Sequence, residues 1–284
     1  MKTGVQQIML GTVTGSEQSA LETLKRIKAA GYEGIELNSF QIHKTSWLVR
    51  LLTKAAGMPT GKGGNFNWHQ LMKDAGLQVL SLHTDLGSLK RSPEEICQEA
   101  ASFGTRFVVI TGMYRFDYTS REALEGLCKG LNAAGEKLAQ SGISLLYHNH
   151  NIEFLRIKGT DVRAYDFILT HTDPAFVNFE LDTYWPAEAG VDVVSLMDRV
   201  GSRLKLWHVT DRGSRLQGQA MTPIIKSDSV EAGCGNMPLD VLARKAAEYG
   251  AEAAILETHR NWIDKSPLKS IELSARWMKE HIDE

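Results

Sequence analysis

Cysteine is scarce in this sequence, and the few that occur are scattered. Cys97, Cys128 and Cys234 are odd in number, and no Cys-x-x-Cys pair is present. Disulfide-rich folds and thiolate zinc sites both require cysteines that can pair at suitable spacings. We therefore expect neither, and a protein of the reducing cytoplasm fits this usage.

An excess of charge of either sign is also missing. The chain has 32 Lys and Arg against 34 Asp and Glu, which gives a formal net charge of −2 over 284 residues. Such a balance provides no broad electrostatic attraction for nucleic acid or for an anionic membrane surface. We expect neither as a partner, and the composition leaves a homodimer open.

Long apolar runs and phosphate-binding glycine loops are missing as well. Residues 1–10 contain no long apolar core and no small-residue cleavage site, so we expect no signal peptide and no membrane span. Gly11 and Gly15 have the wrong spacing for a dinucleotide fingerprint. The glycine-rich run at 57–64 lacks the Gly-Lys-Ser/Thr ending of a phosphate loop, and we interpret it as an ordinary loop.

What is present is a regular alternation of strand-like and helical segments. Near-continuous apolar strands alternating with helices indicate a buried parallel sheet. Eight such units in this length fit a (β/α)8 TIM barrel of about 250 residues, and an open doubly wound sheet is the alternative. We predict a single barrel domain over residues 1–284. The predicted strands are 5–10, 34–38, 79–83, 106–112, 144–149, 177–182, 204–208 and 253–257. The predicted helices are 17–30, 68–75, 93–102, 121–140, 161–170, 193–200, 239–249 and 268–281.

Polar side chains occur repeatedly at the ends of these predicted strands. In a barrel the carboxyl ends of the strands surround one mouth, where catalytic groups gather. The residues concerned are Glu36, His83, His148, His150, Asp182, His208 and Glu257. Because they recur at one end of successive strands, a shared site is a better interpretation than seven unrelated strand endings.

The densest of these endings lies in residues 144–154, where an apolar strand runs into Tyr147-His-Asn-His-Asn-Ile-Glu153. Imidazoles and amides removed from water need hydrogen-bond partners or a ligand. Histidines and carboxylates converging from separate strands suit Mn²⁺, Zn²⁺, Fe²⁺ or Co²⁺ better than Ca²⁺. A metal with open positions can grip vicinal oxygens of a polyol and polarise a carbonyl.

Several motifs together resemble the sugar phosphate isomerase/epimerase superfamily, the xylose isomerase-like barrels that also include inosose dehydratases and endonuclease IV. The resemblance covers nearly the whole chain. It rests on Tyr147-His-Asn-His-Asn-Ile-Glu-Phe154, Leu181-Asp-Thr-Tyr-Trp185, Trp207-His-Val-Thr-Asp211, Ile255-Leu-Glu257, Gly31-Tyr-Glu-Gly-Ile-Glu-Leu37 and Glu231-Ala-Gly-Cys-Gly235.

The resemblance implies a divalent metal, with Mn²⁺ favoured and Zn²⁺, Co²⁺, Fe²⁺ or Mg²⁺ as alternatives. Three of the family's four ligand positions are matched by Asp182, His208 and Glu257. The fourth, commonly Glu, is His148 here, and His150 competes with it because strand alternation sends both to one face. This departure resembles the branch that includes keto-inositol dehydratases and places a symmetrical two-glutamate epimerisation in doubt.

Other residues near the predicted metal ligands are candidates for proton transfer or substrate binding. Glu257, His150 and Glu153 are candidate proton-transfer groups, although Glu153 fits a solvated loop carboxylate equally well. Substrate-binding candidates are Glu36, His83, Trp185 and Asp211. Trp185 and Trp207 could wall a sugar ring, but core packing is the default for tryptophan. A second departure is Thr210, which occupies a position that is often Lys in relatives.

Proton transfer beside the carbonyl of a small carbohydrate or polyol is the activity we expect. Isomerisation or epimerisation comes first, and dehydration or another β-elimination on a keto-inositol or 3-keto sugar is a close alternative. A non-catalytic sugar sensor and an endonuclease IV-like nuclease are less favoured, the latter because a basic mouth is missing.

Overall fold

The eight predicted strands close into a barrel in a computed structural model of the chain, which describes residues 1–44, 63–216 and 218–282. All neighbours are parallel, and the first strand pairs with both the second and the eighth. The predicted TIM barrel is therefore confirmed. The strands, β1–β8 in chain order, are Lys2–Gln6, Gly34–Asn38, Gln78–Thr84, Phe107–Ile110, Ser144–His148, Val177–Asp182, Leu204–Val209 and Ala253–Leu256.

Helices surround the barrel between the strands. Their apolar sides pack against the outward-facing strand residues in one continuous core. The α-helices, α1–α11 in chain order, are Glu17–Ala30, Ser39–Ile42, Trp68–Ala75, Leu86–Arg91, Pro93–Ser102, Arg121–Ala139, Ala164–His171, Tyr184–Glu188, Val193–Val200, Leu239–Glu248 and Pro267–Ile282. Across the described ranges, none of these helices has the length and apolar character that crossing a bilayer would require.

Most predicted boundaries agree with these elements to within one or two residues. The first strand is an exception: it is Lys2–Gln6 and not 5–10, because Gln7–Leu10 form a 3-10 helix. The helix predicted at 161–170 begins later, at Ala164, because residues 156–163 form a turn closed by a bridge between Arg156 and Arg163. The short helices α2, α4 and α8 were not predicted. The segment 211–237, which we expect from its Gly, Ser, Gln and Pro content to be a loop, contains two short antiparallel strands, Asp211–Gly213 and Asp228–Val230. The loop predicted at 57–64 falls mostly outside the described residues.

The interior of the barrel has an apolar lower part and a polar upper part. The lower part is a small cluster formed by Leu80, Phe107, Val109, Leu146, Leu206, Ala253 and Ile255. Glycines at Gly4 and Gly34 make room for it, since a Cβ at Gly34 would lie 2.6 Å from Cγ of Leu80 and 2.8 Å from the Gln78 carbonyl oxygen. The polar part lies above this plug, towards the carboxyl ends of the strands.

A β-bulge at Leu80 changes which side chains of β3 enter the barrel. Ile35 of β2 pairs with Val79, but the next residue, Glu36, pairs with Ser81, so Leu80 is the extra residue. Strict alternation would send Leu80 and His83 to opposite faces. The bulge shifts the phase, so Leu80 fills the lower plug while His83 faces inward among the polar groups above it.

The packing around Gly34 predicts a stability difference between two glycine substitutions. Gly34→Ala should lower the free energy of unfolding by about 1–3 kcal/mol, because the added methyl overpacks the plug. Gly126→Ala, in the middle of α6 with no atom within 4 Å of the added Cβ, should raise it by about 0.5–1 kcal/mol. Chemical denaturation measures both. Equal effects would contradict the tight interior.

Candidate metal centre

Six strands place nitrogen and oxygen ligand atoms in the polar upper part of the barrel. Strand alternation carries Glu180 and Asp182 of β6 to the same inner face, two residues apart. The group comprises Glu36, His83, His148, Glu180, Asp182, His208 and Glu257. Each of these seven residues is 0–7% exposed.

Four of these residues, which we call the outer quartet, come from β5–β8. One ligand atom from each of His148, Asp182, His208 and Glu257 lies within 4.8 Å of the others. The ends of β5 and β6 are tied together, since the Asn149 side chain donates to the Asp182 carbonyl at 3.0 Å and accepts from the Asp182 N–H at 3.2 Å. The sequence had predicted this quartet, with His148 or His150 as its fourth member.

A second set, the inner quartet, lies beside the first and shares His208 with it. Its other members are Glu36, His83 and Glu180. Nε2 of His83 lies 2.8 Å from Oε1 of Glu36 and 2.9 Å from Oε2 of Glu180. The same oxygen of Glu180 lies 3.0 Å from Nδ1 of His148 and 3.2 Å from Nε2 of His208. Three imidazoles thus converge on one carboxylate that the sequence analysis missed.

Several of these atoms are close together without the alignment of a hydrogen bond. Among the described residues, Nε2 of His83, Nδ1 of His148, both carboxylate oxygens of Glu180 and Oδ2 of Asp182 are buried with no partner of hydrogen-bond geometry. Buried polar atoms normally have hydrogen-bond partners. Nitrogen and oxygen atoms that converge without such partners are therefore suited to coordinate a cation. The other oxygen of Asp182 is fixed by the Tyr184 N–H at 2.8 Å, which leaves Oδ2 for a ligand.

The two ring nitrogens of His208 connect the quartets. Nδ1 lies 2.7 Å from Oε2 of Glu257, and Nε2 lies 2.6 Å from Oε2 of Glu36. A metal-binding histidine usually gives its second nitrogen to a carboxylate, which sets the tautomer and the ring orientation. In this arrangement Nδ1 can face an ion in the outer quartet while Nε2 donates to Glu36.

Burial and neighbouring charge compete in the inner quartet. Burial disfavours the charged form of His83, but Glu36 and Glu180 outweigh it and raise the pKa of His83 to about 10. Burial alone would raise the pKa of Glu180, yet His208 and His83 hold that pKa well below its usual range. Opposite charges in a low-dielectric interior therefore keep each other ionised.

His150 and Glu153 lie beside the outer quartet in a different setting. The ring centres of His148 and His150 are 5.0 Å apart, and burial lowers the pKa of His150 to about 3. The Glu153 carboxylate accepts hydrogen bonds from Tyr147 Oη and from the His150 N–H, both at 3.0 Å. Glu153 is fully buried, so it is not the solvated loop carboxylate that sequence reasoning left open.

Gly112 allows this carboxylate to sit where it does. A Cβ at Gly112 would lie 2.8 Å from Oε1 of Glu153 and 3.5 Å from Nδ1 of His150. By accepting the hydrogen bond from the His150 N–H, the Glu153 carboxylate holds the backbone of His150 in position. Its predicted part in proton transfer stays a prediction.

His259 and Trp185 border the mouth. The ring centre of Trp185 lies 5.6 Å from that of His150 and 4.8 Å from that of His259, so the indole stands between two imidazoles. Nε2 of His259 is 3.7 Å from Oδ2 of Asp182. The sequence analysis did not select His259, although its position two residues after Glu257 is a signal that alternation could have used.

The remaining predicted residues have other surroundings. Asp211 accepts backbone N–H groups of Arg212, Gly235 and Met237 at 2.8–3.0 Å, so its carboxylate holds the loop after β7. Trp207 faces outward, is fully buried and donates to Thr183 at 3.0 Å, as expected of core packing. Thr210 donates to the carbonyl oxygen of Glu257. Substrate contact by Asp211 stays a prediction.

Two large cavities lie at opposite ends of the barrel. A cleft of about 690 Å³ begins at His83 and runs between the loops and helices that follow β2 and β3. A larger one of about 890 Å³ is lined by residues at the amino ends of the strands, including Lys2, Gln78 and Arg106. Active sites of this fold lie at the carboxyl ends of the strands. We therefore associate the first cleft, and not the larger cavity, with the site.

Comparison with known proteins gives a consistent result. A family model described as xylose isomerase-like TIM barrel matches residues 24–281. The inosose dehydratase of Mesomycoplasma hyopneumoniae (strain 7448) is 36% identical over 97 residues, which are 33% of this chain and 30% of that protein. The inosose dehydratase of Salmonella agona (strain SL483) is 29% identical over 169 residues, 56% of this chain and 52% of that protein. The chain thus matches about half or less of the length of these curated relatives.

Solved structures share the whole fold. A sugar phosphate isomerase/epimerase from Parabacteroides distasonis superposes with a TM-score of 0.77 at 22% identity, covering 98% of this chain and 93% of that one. The IOLI protein with a bound zinc atom gives 0.65 at 13% identity, with coverage of 100% and 98%. A Mycobacterium smegmatis protein in complex with magnesium gives 0.64 at 14% identity, with coverage of 99% and 96%. At these identities the likeness shows the fold alone.

The two quartets predict different effects of the same substitution. If the outer quartet holds the ion, Glu180→Gln removes a charge beside two of its histidines and should weaken metal binding about 10–100-fold. Chelator competition with Mn²⁺ measures this affinity. Glu153→Gln, an identical change at a buried carboxylate outside both quartets, is the control and should leave the affinity unchanged. Loss of all binding in Glu180→Gln with full binding in Glu257→Gln would assign the ion to the inner quartet.

Proposed function

Because this chain belongs to the xylose isomerase-like TIM barrel family, we propose that it is a divalent-metal enzyme that removes a proton beside the carbonyl of a keto sugar or keto polyol, with loss of water following. The observation that carries the proposal is the outer quartet, with its orphan donor atoms at the mouth of the barrel. The zinc- and magnesium-containing neighbours agree with a divalent ion and leave its identity open, with Mn²⁺ our first choice.

We assign the ion to the outer quartet because this set borders the open mouth. Glu257 is 7% exposed there, whereas Glu36 and Glu180 of the inner quartet have no exposure. A catalytic metal needs open positions for substrate. When bound, the ion would supply a Lewis acid for the carbonyl oxygen. The inner carboxylates then hold the imidazole rings in the orientation that the ion requires.

Glu257 is the group we assign to proton removal. Its carboxylate lies at the mouth, and His208 and His259 hold its pKa below the usual range despite burial. A carboxylate that stays ionised can accept the proton from the carbon beside the carbonyl. The electrons of that C–H bond form an enediolate, and expulsion of the β-hydroxyl with a proton completes the elimination. We assign His259 to supply that proton, because Glu257 and Asp182 raise its pKa despite burial, and the part of His150 in proton transfer stays a prediction.

Elimination is favoured over epimerisation, which reverses the order expected from the sequence. Epimerisation by opposed groups needs a second acid–base group on the other face of the carbon. The β5 position that would supply a second carboxylate is His148, whose Nδ1 lies 3.0 Å from Oε2 of Glu180. The inosose dehydratase relatives point in the same direction. Epimerisation remains the second candidate because both reactions share the enediolate.

Glu257→Gln separates the two roles assigned to Glu257. The amide keeps one oxygen ligand but cannot accept the proton, so activity on keto-inositols or 3-keto sugars at saturating Mn²⁺ should fall about 10²–10⁴-fold. Substrate binding measured by calorimetry should persist. Restoration of most of the rate by added metal would show that Glu257 is a ligand only. Solvent deuterium should enter the carbon beside the carbonyl in the wild type, and its absence would contradict the enediolate.

His148→Glu tests the choice between elimination and epimerisation. The substitution supplies the carboxylate that the β5 position lacks, so it should create or raise epimerase activity and suppress elimination. Product analysis by NMR distinguishes a dehydrated product from an epimer. His148→Gln is the matched control, because it removes the imidazole without adding a carboxylate. A wild type that epimerises and a His148→Glu variant that does so no faster would contradict our ordering.

A further inference from the structure

The 690 Å³ cleft that begins at His83, which we call the side cleft, is part of the mouth but extends away from the outer quartet. Its inner end is formed by His83, whose ring centre is 6.0 Å from that of His208. From there it runs past Phe40 of α2 and along α4 and α5, where Ser88, Arg91, Ser92 and Glu95 line it. The outer quartet uses none of these residues.

The volume of the side cleft exceeds what one sugar ring requires. Pockets of about 300–1,000 Å³ take ligands of drug size, and the side cleft lies within that range. The reacting ring has to sit over the outer quartet, on the other side of His83. Because none of the four outer-quartet residues lines it, the side cleft is additional space beside the place proposed for the reacting ring.

The charges along the side cleft disfavour an anionic ligand. Among the described residues, Asp85, Glu95 and Glu99 line it together with the guanidinium of Arg91, while His43 is paired with Glu99 at 2.6 Å and His83 with Glu36 and Glu180. Arg91 itself donates to Ser88 at 2.9 Å. A phosphate there would face three carboxylates, and like charges at such distances repel. Carboxylates and a guanidinium are suitable partners for neutral hydroxyl groups.

The cleft lining also includes apolar residues that can contact the C–H face of a sugar ring. Phe40, which is half-buried, and Ile96, which is buried, both line the cleft. A pyranose ring has an apolar face of C–H groups as well as hydroxyls, and an aromatic ring can cover that face. Thr84 and Thr111, at the carboxyl ends of β3 and β4, add hydroxyl groups where the cleft meets the site.

We propose that the side cleft is a subsite for a second, neutral sugar ring, so that the substrate is a glycoside and neither a sugar phosphate nor a free monosaccharide. The proposal rests on the proposed function for the place of the reacting ring. It goes further by naming the substrate class and by assigning Phe40, Arg91 and Glu95 to a ring that takes no part in the chemistry.

Binding to the full chain loaded with Mn²⁺ tests the subsite without any turnover. Isothermal titration should show that the tightest of cellobiose, maltose and trehalose binds at least about tenfold more tightly than glucose, since the second ring adds buried contacts. Glucose 6-phosphate should bind no more tightly than glucose. Equal affinities for glucose and all three disaccharides, or tighter binding of the phosphate, would overturn the proposal.

Ser92→Trp places a bulky ring in the side cleft. Ser92 precedes α5, and its side chain makes no capping hydrogen bond, so the change removes no cap. It should abolish the preference for the disaccharide and leave glucose binding within about twofold. Gln98→Trp, at an exposed position of the same helix outside the cleft lining, is the control and should keep the preference. Phe40→Ala, which adds no bulk, should lower disaccharide affinity alone, and unchanged affinity in both cleft variants would refute the subsite.

Turnover separates this proposal from the proposed function. A chain that dehydrates no keto sugar yet prefers disaccharides in a Ser92-dependent way would contradict the proposed function alone. A chain that dehydrates a keto monosaccharide and the keto form of its disaccharide with equal kcat/KM, in wild type and Ser92→Trp alike, would contradict the subsite alone.

Discussion

The imidazole of His208 is the contact on which the arrangement of the site depends. Its two nitrogens lie 2.7 Å from Glu257 and 2.6 Å from Glu36, so one ring of β7 connects the end of β8 to β2, the two strands that flank β1. A single ring can present only one nitrogen to an ion while it donates from the other. The inner carboxylates therefore determine how the outer quartet faces the mouth, although they lie behind it.

Burying so many ionisable groups has a cost that the fold offsets with opposite charges. Each buried ion costs several kcal/mol of desolvation when unpaired. Here three imidazoles surround the Glu180 carboxylate at 2.9–3.2 Å. The apolar plug beneath them, which includes Leu80 and Leu146, separates these charges from the amino end of the barrel. The result is a group of metal-ligand atoms attached to strands, while His150 and His259 sit on the loops that follow β5 and β8 and Trp185 sits on α8.

The proposed chemistry follows from where carboxylates are placed and where imidazoles replace them. Glu257 is an ionised carboxylate at the mouth, and His148 occupies the facing β5 position. Asp211 illustrates the opposite outcome, because a conspicuous carboxylate near the site is engaged with three backbone N–H groups. Side chains that look equivalent in the sequence thus divide into groups directed at substrate and groups that hold loops in place. The side cleft adds a third kind, polar groups next to the site that face open space.

The periodicity of the sequence alone determined the barrel and brought the candidate site residues to one mouth, while the family resemblance indicated which of them form the outer quartet. Eight apolar strands separated by helices leave few topologies, and strand-end residues such as Asp182 and His208 must then converge at one mouth. The tertiary structure decided which further side chains enter the site, because periodicity does not predict a bulge or contacts between distant strands. The bulge at Leu80 turns His83 inward against strict alternation, and Glu180 became recognisable only when three imidazoles from β3, β5 and β7 converged on it. Side-chain partners of this kind come from residues distant in sequence, so their contacts exist only once the barrel has closed.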